Sequence, residues 1–183
     1  MKLSVIPYGS FILRKNNSEI NENYKDLDKL IKDMFETMYF ANGVGLAGPQ
    51  VNKNIRLFVI DASVMEEDDP KAKDFKQVFI NPKIIKEEGK LWKYKEGCLS
   101  VPEIREHVKR KSIIHIEYFD ENFYFHKKTY DGVIARIIQH ECDHLDGIVF
   151  VDKISPIKKR LLKSKLKAIS KGKITTNYKM KYN

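Results

Sequence analysis

The sequence predicts an α+β fold: antiparallel β-sheets packed around a central helix bearing H-E-x-x-H, with an N-terminal helix and a basic C-terminal helix. Three observations predict it. Apolar residues recur at helical spacing in three separate stretches, strand-like runs gather between the first and second of them, and a metal-type motif lies inside the second. No internal repeat or low-complexity linker divides the chain, so residues 1–183 are expected to form one domain, with 153–183 as its basic helix and tail.

Residues 24–40 place Leu27, Leu30, Ile31, Met34, Phe35 and Met38 on one helical face, after Asn23 as N-cap and before Gly43. Strand-like runs follow at 56–61, 77–81, 112–118 and 123–129, the last two joined by a turn at Asp120, Glu121 and Asn122. Residues 62–74 read as an acidic surface loop. Helical spacing returns over 133–145 through Ile134, Ile137, Ile138 and Leu145, with Asp131 near its start and Gly147 as its stop. Ser155-Pro156 then opens a basic helix with Ile157, Leu161, Leu162, Leu166 and Ile169, closed by Gly172.

Composition removes several function classes. With 42% hydrophobic residues in 183, the chain can bury a core without disulfide or metal, which excludes intrinsic disorder. No apolar run approaches the roughly 18 residues of a membrane span, and the first residues lack an apolar stretch of signal-peptide length, so a cytoplasmic protein with no membrane partner is expected. Two cysteines, Cys98 and Cys142, make no disulfide framework; in a reducing compartment a functional cysteine is a ligand or a nucleophile. The net charge of +9 is unevenly placed. Residues 153–183 hold eleven basic side chains and no acid, leaving 23 basic against 25 acidic groups in the rest. Such an appendage points to an anionic surface met at one end, not to a sequence-specific nucleic-acid reader.

The chemistry centres on His140-Glu141-Cys142-Asp143-His144. Helix positions four apart share a face, so both imidazoles reach one ion with Glu141 beside it. Cys142, about 200° round the helix from His140, faces away and reads as structural. A catalytic ion takes three protein ligands and keeps one position open. The metzincin pattern would put a third histidine at position 150, which is Phe150. Asp146 and Asp152 follow the helix too closely, and His107, His115 and His126 sit in strand-like segments, yet all five stay candidates. Cys98 is the better one, because Glu96-Gly97-Cys98-Leu99-Ser100 is a glycine-bearing, strand-interrupting segment that can present a thiolate.

Gly43-Val44-Gly45-Leu46-Ala47-Gly48 fits the dinucleotide fingerprint G-x-G-x-x-G, but it follows a helix and runs into Pro49, the wrong context for a nucleotide site. Glycines alternating with Val44 and Leu46 suggest instead an extended edge open to a substrate peptide, and Gln50 at its end offers an uncharged amide donor.

Three segments together, Gly43 to Gln50, Glu96 to Ser100 and Gln139 to Leu145, closely resemble the three motifs of peptide deformylases, in the same order and at similar separations. The resemblance implies one divalent ion held by Cys98, His140 and His144, with Fe²⁺ favoured; a thiolate with two imidazoles also suits Zn²⁺. It implies hydrolysis of the N-formyl group from N-formylmethionyl peptides of nascent proteins, with formate released, water activated at the ion as nucleophile and Glu141 as general acid/base. It further implies that Gln50 and the Leu99 N–H face the substrate carbonyl, and that Arg105 helps position substrate. Gly43, Val44, Gly45, Leu46 and Glu96 are expected to line the substrate, and a ribosome contact through the basic C-terminal helix becomes reasonable. A general H-E-x-x-H endopeptidase is the competing reading. Two residues depart from the family pattern: Gly48, where alanine is commoner and glycine adds backbone freedom, and Arg136, where some members carry an aliphatic pocket residue.

Overall fold

A computed structural model describes residues 1–182. Helix α1 (Leu27–Phe40) buries the apolar stripe that the periodicity marks, but it begins after Asp26, not after Asn23. Its end is a left-handed Asn42 (φ 54°), with the Gly43 N–H reaching back to Met38 O at 2.9 Å, which satisfies a carbonyl that the last turn would otherwise leave bare. Strands β1 (Gly45–Ala47), β2 (Leu57–Asp61), β3 (Lys76–Cys98), β4 (Val101–Phe119) and β5 (Phe125–Asp131) follow, then α2 (Gly132–Leu145), α3 (Pro156–Leu161) and α4 (Lys163–Ser170). No helix among the described residues is long and apolar enough to cross a membrane.

The strands form one antiparallel sheet in the order β1-β2-β3-β4-β5, so β1 and β5 are its edges. Strand β2 is apolar at nearly every position because both its faces are covered. Phe58 and Ile60 point to α2, packing with Ala47, Phe79, Ile134, Ile138 and Leu145. Leu57 and Val59 point to α1, packing with Leu46, Val78, Met34 and Met38. The metal-motif helix and the N-terminal helix therefore lie on opposite faces of the same short strands. A third apolar cluster joins Ile6, Leu13, Val101, Val108, Phe150, Leu166 and Ile169, docking the N-terminal segment and α4 on the near ends of β3 and β4.

Two expected strands were too short. The runs at 77–81 and 112–118 are parts of β3 and β4, 23 and 19 residues long, because the charged stretch between them pairs as a long solvent-facing hairpin with several register shifts. The last shift falls between Gly97 and Cys98, where Cys98 pairs with Val101 and Leu99-Ser100 turn the chain. The strand interruption expected around Gly97 is thus real. The basic C-terminal helix is two helices broken at Leu162; Leu166 and Ile169 are buried, whereas Ile157 and Leu161 stay exposed.

Candidate metal centre

Cys98, His140 and His144 converge: one ligand atom from each lies within 4.8 Å of the other two. The hairpin turn presents Cys98 Sγ, and α2 presents both imidazoles from successive turns of one face, with Cys98 Sγ 3.2 Å from His144 Nε2. His140 Nδ1 lies 2.9 Å from Glu96 Oε2. An ionised carboxylate only accepts, so Nδ1 carries the proton and Nε2 keeps its lone pair free to donate to a metal ion. The donor set, one sulfur and two imidazole nitrogens with a carboxylate behind one ring, fits a divalent transition metal.

Glu141 stands beside these ligands, 4% exposed, with Oε2 buried and unpartnered among the described residues. Burial pushes its carboxyl up to about 7, with the neighbouring His140 opposing. Its other oxygen lies against the glycine loop: a Cβ added at Gly45 would sit 2.4 Å from Glu141 Oε1. Only glycine lets the β1 backbone come that close.

Gln50 is fixed at both ends of its amide. Oε1 accepts from the Ala47 N–H at 2.9 Å, so Nε2 is the end directed at Cys98 Sγ (3.3 Å) and Ser100 Oγ (3.2 Å). Leu99 packs beside Gly43 and Met38, and its N–H has no protein acceptor among the described residues. Gly43, Val44, Gly45, Leu99, Arg105, Val133, Ile137, His140 and Glu141 border a common cleft of about 890 Å³. Leu46 does not: it is fully buried in the α1 core, because alternation along β1 turns it to the other face. Arg105 lies at the cleft, packed across Gly97.

Glu96 borders the same cleft, and its carboxylate is engaged within the protein. Its carboxylate accepts from Arg110 Nε (2.8 Å) and Nη2 (3.0 Å), from Arg136 Nη1 (2.9 Å) and from His140. Burial works against its charge, but the Arg110 hydrogen bonds, with His140 next, hold the carboxyl well below the usual range. Arg110 continues to Asp143 Oδ2 at 2.7 Å, so two arginines and two acids balance inside the protein. Arg136 also borders the cleft, with its guanidinium engaged by Glu96, the carbonyls of Val108 and Trp92, and the Trp92 ring. Gly48 is likewise explained differently. A Cβ there would sit 2.9 Å from Ile55 O, so glycine serves close packing and not backbone freedom.

Four of the five other third-ligand candidates are occupied elsewhere. Asp146 pairs with Arg56, Asp152 with Arg14 and Lys159, His115 with Glu88 and His126 with Asp120. Cys142 is buried in the α2 core, as the 200° rotation requires. Sequence reasoning missed Arg110 and Ser100. Arg110 had left a signal: it shares a β4 face with Val108 and Ile104, an inward position where a charge needs a buried partner.

Comparison with known proteins agrees with this geometry. The family model described as polypeptide deformylase matches residues 2–160. The peptide deformylase of Christiangramia forsetii is 50% identical, covering 100% of this chain and 96% of its own length. Among solved structures, a peptide deformylase from Legionella pneumophila aligns with a TM-score of 0.81 at 34% identity, over 94% of this chain and 98% of that one. One from Synechococcus elongatus in complex with actinonin aligns at 0.78 and 38% identity, over 93% and 87% respectively.

Proposed function

Because this chain belongs to the polypeptide deformylase family, it is a metal-dependent hydrolase that removes the N-formyl group from nascent peptides, and we propose the residues that do so. Cys98, His140 and His144 hold the ion, Glu141 carries the proton, and Gln50 with the Leu99 N–H receives the charge on the formyl oxygen. One observation carries this reading: three ligand atoms within 4.8 Å of one another stand beside a buried carboxylate oxygen that has no partner. We take residues 1–183 to be one catalytic domain and Fe²⁺ to be its working ion.

A divalent ion bound by these ligands supplies Lewis acidity and brings water into the range of a usable nucleophile near neutral pH. Glu141 accepts the proton of the attacking water and later delivers it to the departing nitrogen, leaving formate and a free amino terminus. Gln50 Nε2 and the Leu99 N–H donate to the formyl oxygen as its charge grows; losing one such donor costs about 2.7 to 4 kcal/mol in the barrier. Ile137 and Val133, one and two helical turns before His140, form an apolar wall with Val44, where the methionine side chain lies. The Gly43–Gly45 edge pairs with the substrate backbone, and Arg105 borders its path.

Formate release from a formyl-Met tripeptide, with metal analysis of anaerobic protein, tests the assignment. Glu141→Ala keeps the ion and nearly abolishes turnover; Cys98→Ser loses both together, because a thiolate is exchanged for a weak neutral donor. A Glu141→Ala enzyme that turns over normally, or a Cys98→Ser enzyme with full metal, refutes it. Iron at full occupancy identifies the ion, and zinc alone overturns Fe²⁺.

We place the enzyme in the cytoplasm, where its substrate is made, with the basic face of α3 near the ribosome. Exposed Ile157 and Leu161 beside Lys158, Lys159 and Arg160 support that contact. Salt-sensitive co-sedimentation with ribosomes, lost on reversing these charges, is the expected result.

A further inference from the structure

The C-terminal segment has a place in the fold that its charge conceals. Residues 173–182 contain three lysines and no acid, a composition suited to a solvated tail. Instead the segment returns to the body. Lys179 O accepts from the Val5 N–H at 2.8 Å, and Val5 O accepts from the Lys181 N–H at 2.9 Å, so Val5 and Met180 pair in parallel. Val5 is fully buried beneath this pair. Tyr178 reaches further, and its hydroxyl donates to Leu99 O at 2.7 Å. Thr176 Oγ1 braces Tyr178 by donating to its carbonyl at 2.6 Å. Thr176 and Tyr178 border the same cleft as Leu99 and Glu141.

The segment grips the hairpin turn by a second route as well. The N-terminal strand to which it is bonded donates from Ile6 N–H to Gln50 O (2.8 Å) and from Tyr8 N–H to Ser100 O (2.7 Å). Leu99 is therefore held at its own carbonyl by Tyr178 and one residue on by Tyr8, while Cys98 Sγ is held on the other side by Gln50 and His144. A turn residue fixed at its carbonyl has a restricted ψ, and its N–H can vary only with φ.

We propose that Tyr178 is a positioning residue for the deformylation reaction: by holding the Leu99 carbonyl, it keeps the Leu99 N–H directed at the formyl oxygen. The proposal rests on the role given to Leu99 above. A donor fixed in advance loses no free energy to reorganisation when charge develops, so its benefit is felt in the transition state more than in substrate binding.

The test is steady-state formate release from a formyl-Met tripeptide by metal-loaded Tyr178→Phe, which keeps the ring and removes only the hydroxyl. Loss of one neutral hydrogen bond corresponds to a fall in kcat of about threefold to tenfold, with KM within about twofold, metal content unchanged and melting temperature lowered by no more than about 4 °C. A chain ending at Ile174, which lacks the whole clasp, falls at least as far. Unchanged kcat in either variant overturns the proposal, as does a fall that only follows metal loss or unfolding. Activity of the unmodified chain tests the underlying reading of the site, and the variant-to-parent ratio tests Tyr178, so the two fail separately.

Discussion

Replacing Glu96 by glutamine separates the electrostatic support of the site from its ligands. Glu96 is 6% exposed and accepts four hydrogen bonds, two from Arg110, one from Arg136 and one from His140. An amide of the same shape has one acceptor oxygen and one donor nitrogen. Whichever way it turns, an N–H group meets another donor, and two buried guanidiniums lose half of their balancing charge. Breaking a buried ion pair from one side typically costs 3–5 kcal/mol; with part of the hydrogen bonding kept, we expect about 3 kcal/mol. For 183 residues the entropy of unfolding is about 0.38 kcal/mol per kelvin, so the melting temperature falls by about 8 °C. A second effect follows at His140. If the amide oxygen stays with the arginines, its nitrogen donates to Nδ1, and the imidazole proton moves to Nε2, the atom that should bind metal. Metal affinity then drops about 10- to 100-fold. Scanning calorimetry of parent and variant, each stripped of metal, isolates the first effect, and metal titration isolates the second. Apoproteins that melt within 2 °C of each other would refute the charge argument, since nothing in it depends on the ion.

Gly45→Ala leaves every ligand in place but drives a methyl group to 2.4 Å from Glu141 Oε1, so the carboxylate must move; kcat falls about 100-fold at full metal content, and a parental kcat would show that Glu141 needs no such seat. Asp152→Asn reports the clamp between the N-terminal segment and α3. Burial opposes ionisation of Asp152, yet Arg14, then Lys159, lower its carboxyl to about 2 from an ordinary 3.8. A depressed carboxylate stabilises the fold above its unfolded value and loses that contribution as pH falls through its folded one. Parent and variant should therefore differ by a constant margin above pH 3.8 and converge towards pH 2 in acid-unfolding curves; a margin that persists at pH 2 contradicts the assignment.

Local periodicity made the helices, the short core strands and the metal motif legible, because each is written within a dozen residues. The rest depends on contacts between distant segments. The span of β3 and β4 was underread because residues 83–95 are charged on both faces, a pattern that fits a loop as well as a solvated hairpin. Glu96 borders the cleft as its sequence neighbours do, but its ties to Arg110 and Arg136, 14 and 40 residues away, are not written in that local segment. Leu46 was grouped with the loop glycines although strand alternation alone would have turned it from Gly45. The tail carries a signal too: Tyr178, Met180 and Tyr182 alternate with Lys179 and Lys181, the period of a strand, although its charge points to an anionic surface.

The five residues His140 to His144 show why one short motif carried so much. Steps of about 100° send each side chain to a different neighbour. His140 meets Glu96, Glu141 meets the Gly45 backbone, Cys142 enters the sheet-facing core, Asp143 meets Arg110 and His144 meets Cys98. Asp143 and His140 are thereby coupled through one path, since Arg110 bridges Asp143 to the carboxylate that orients His140. Rotating the helix by a single position would put the acid of 143 where an imidazole must stand and bring the Cys142 side chain out of its apolar seat. The register of α2 is thus fixed by five contacts at once. Polar contacts hold three of them, core packing the fourth and the close approach of the Gly45 backbone the fifth.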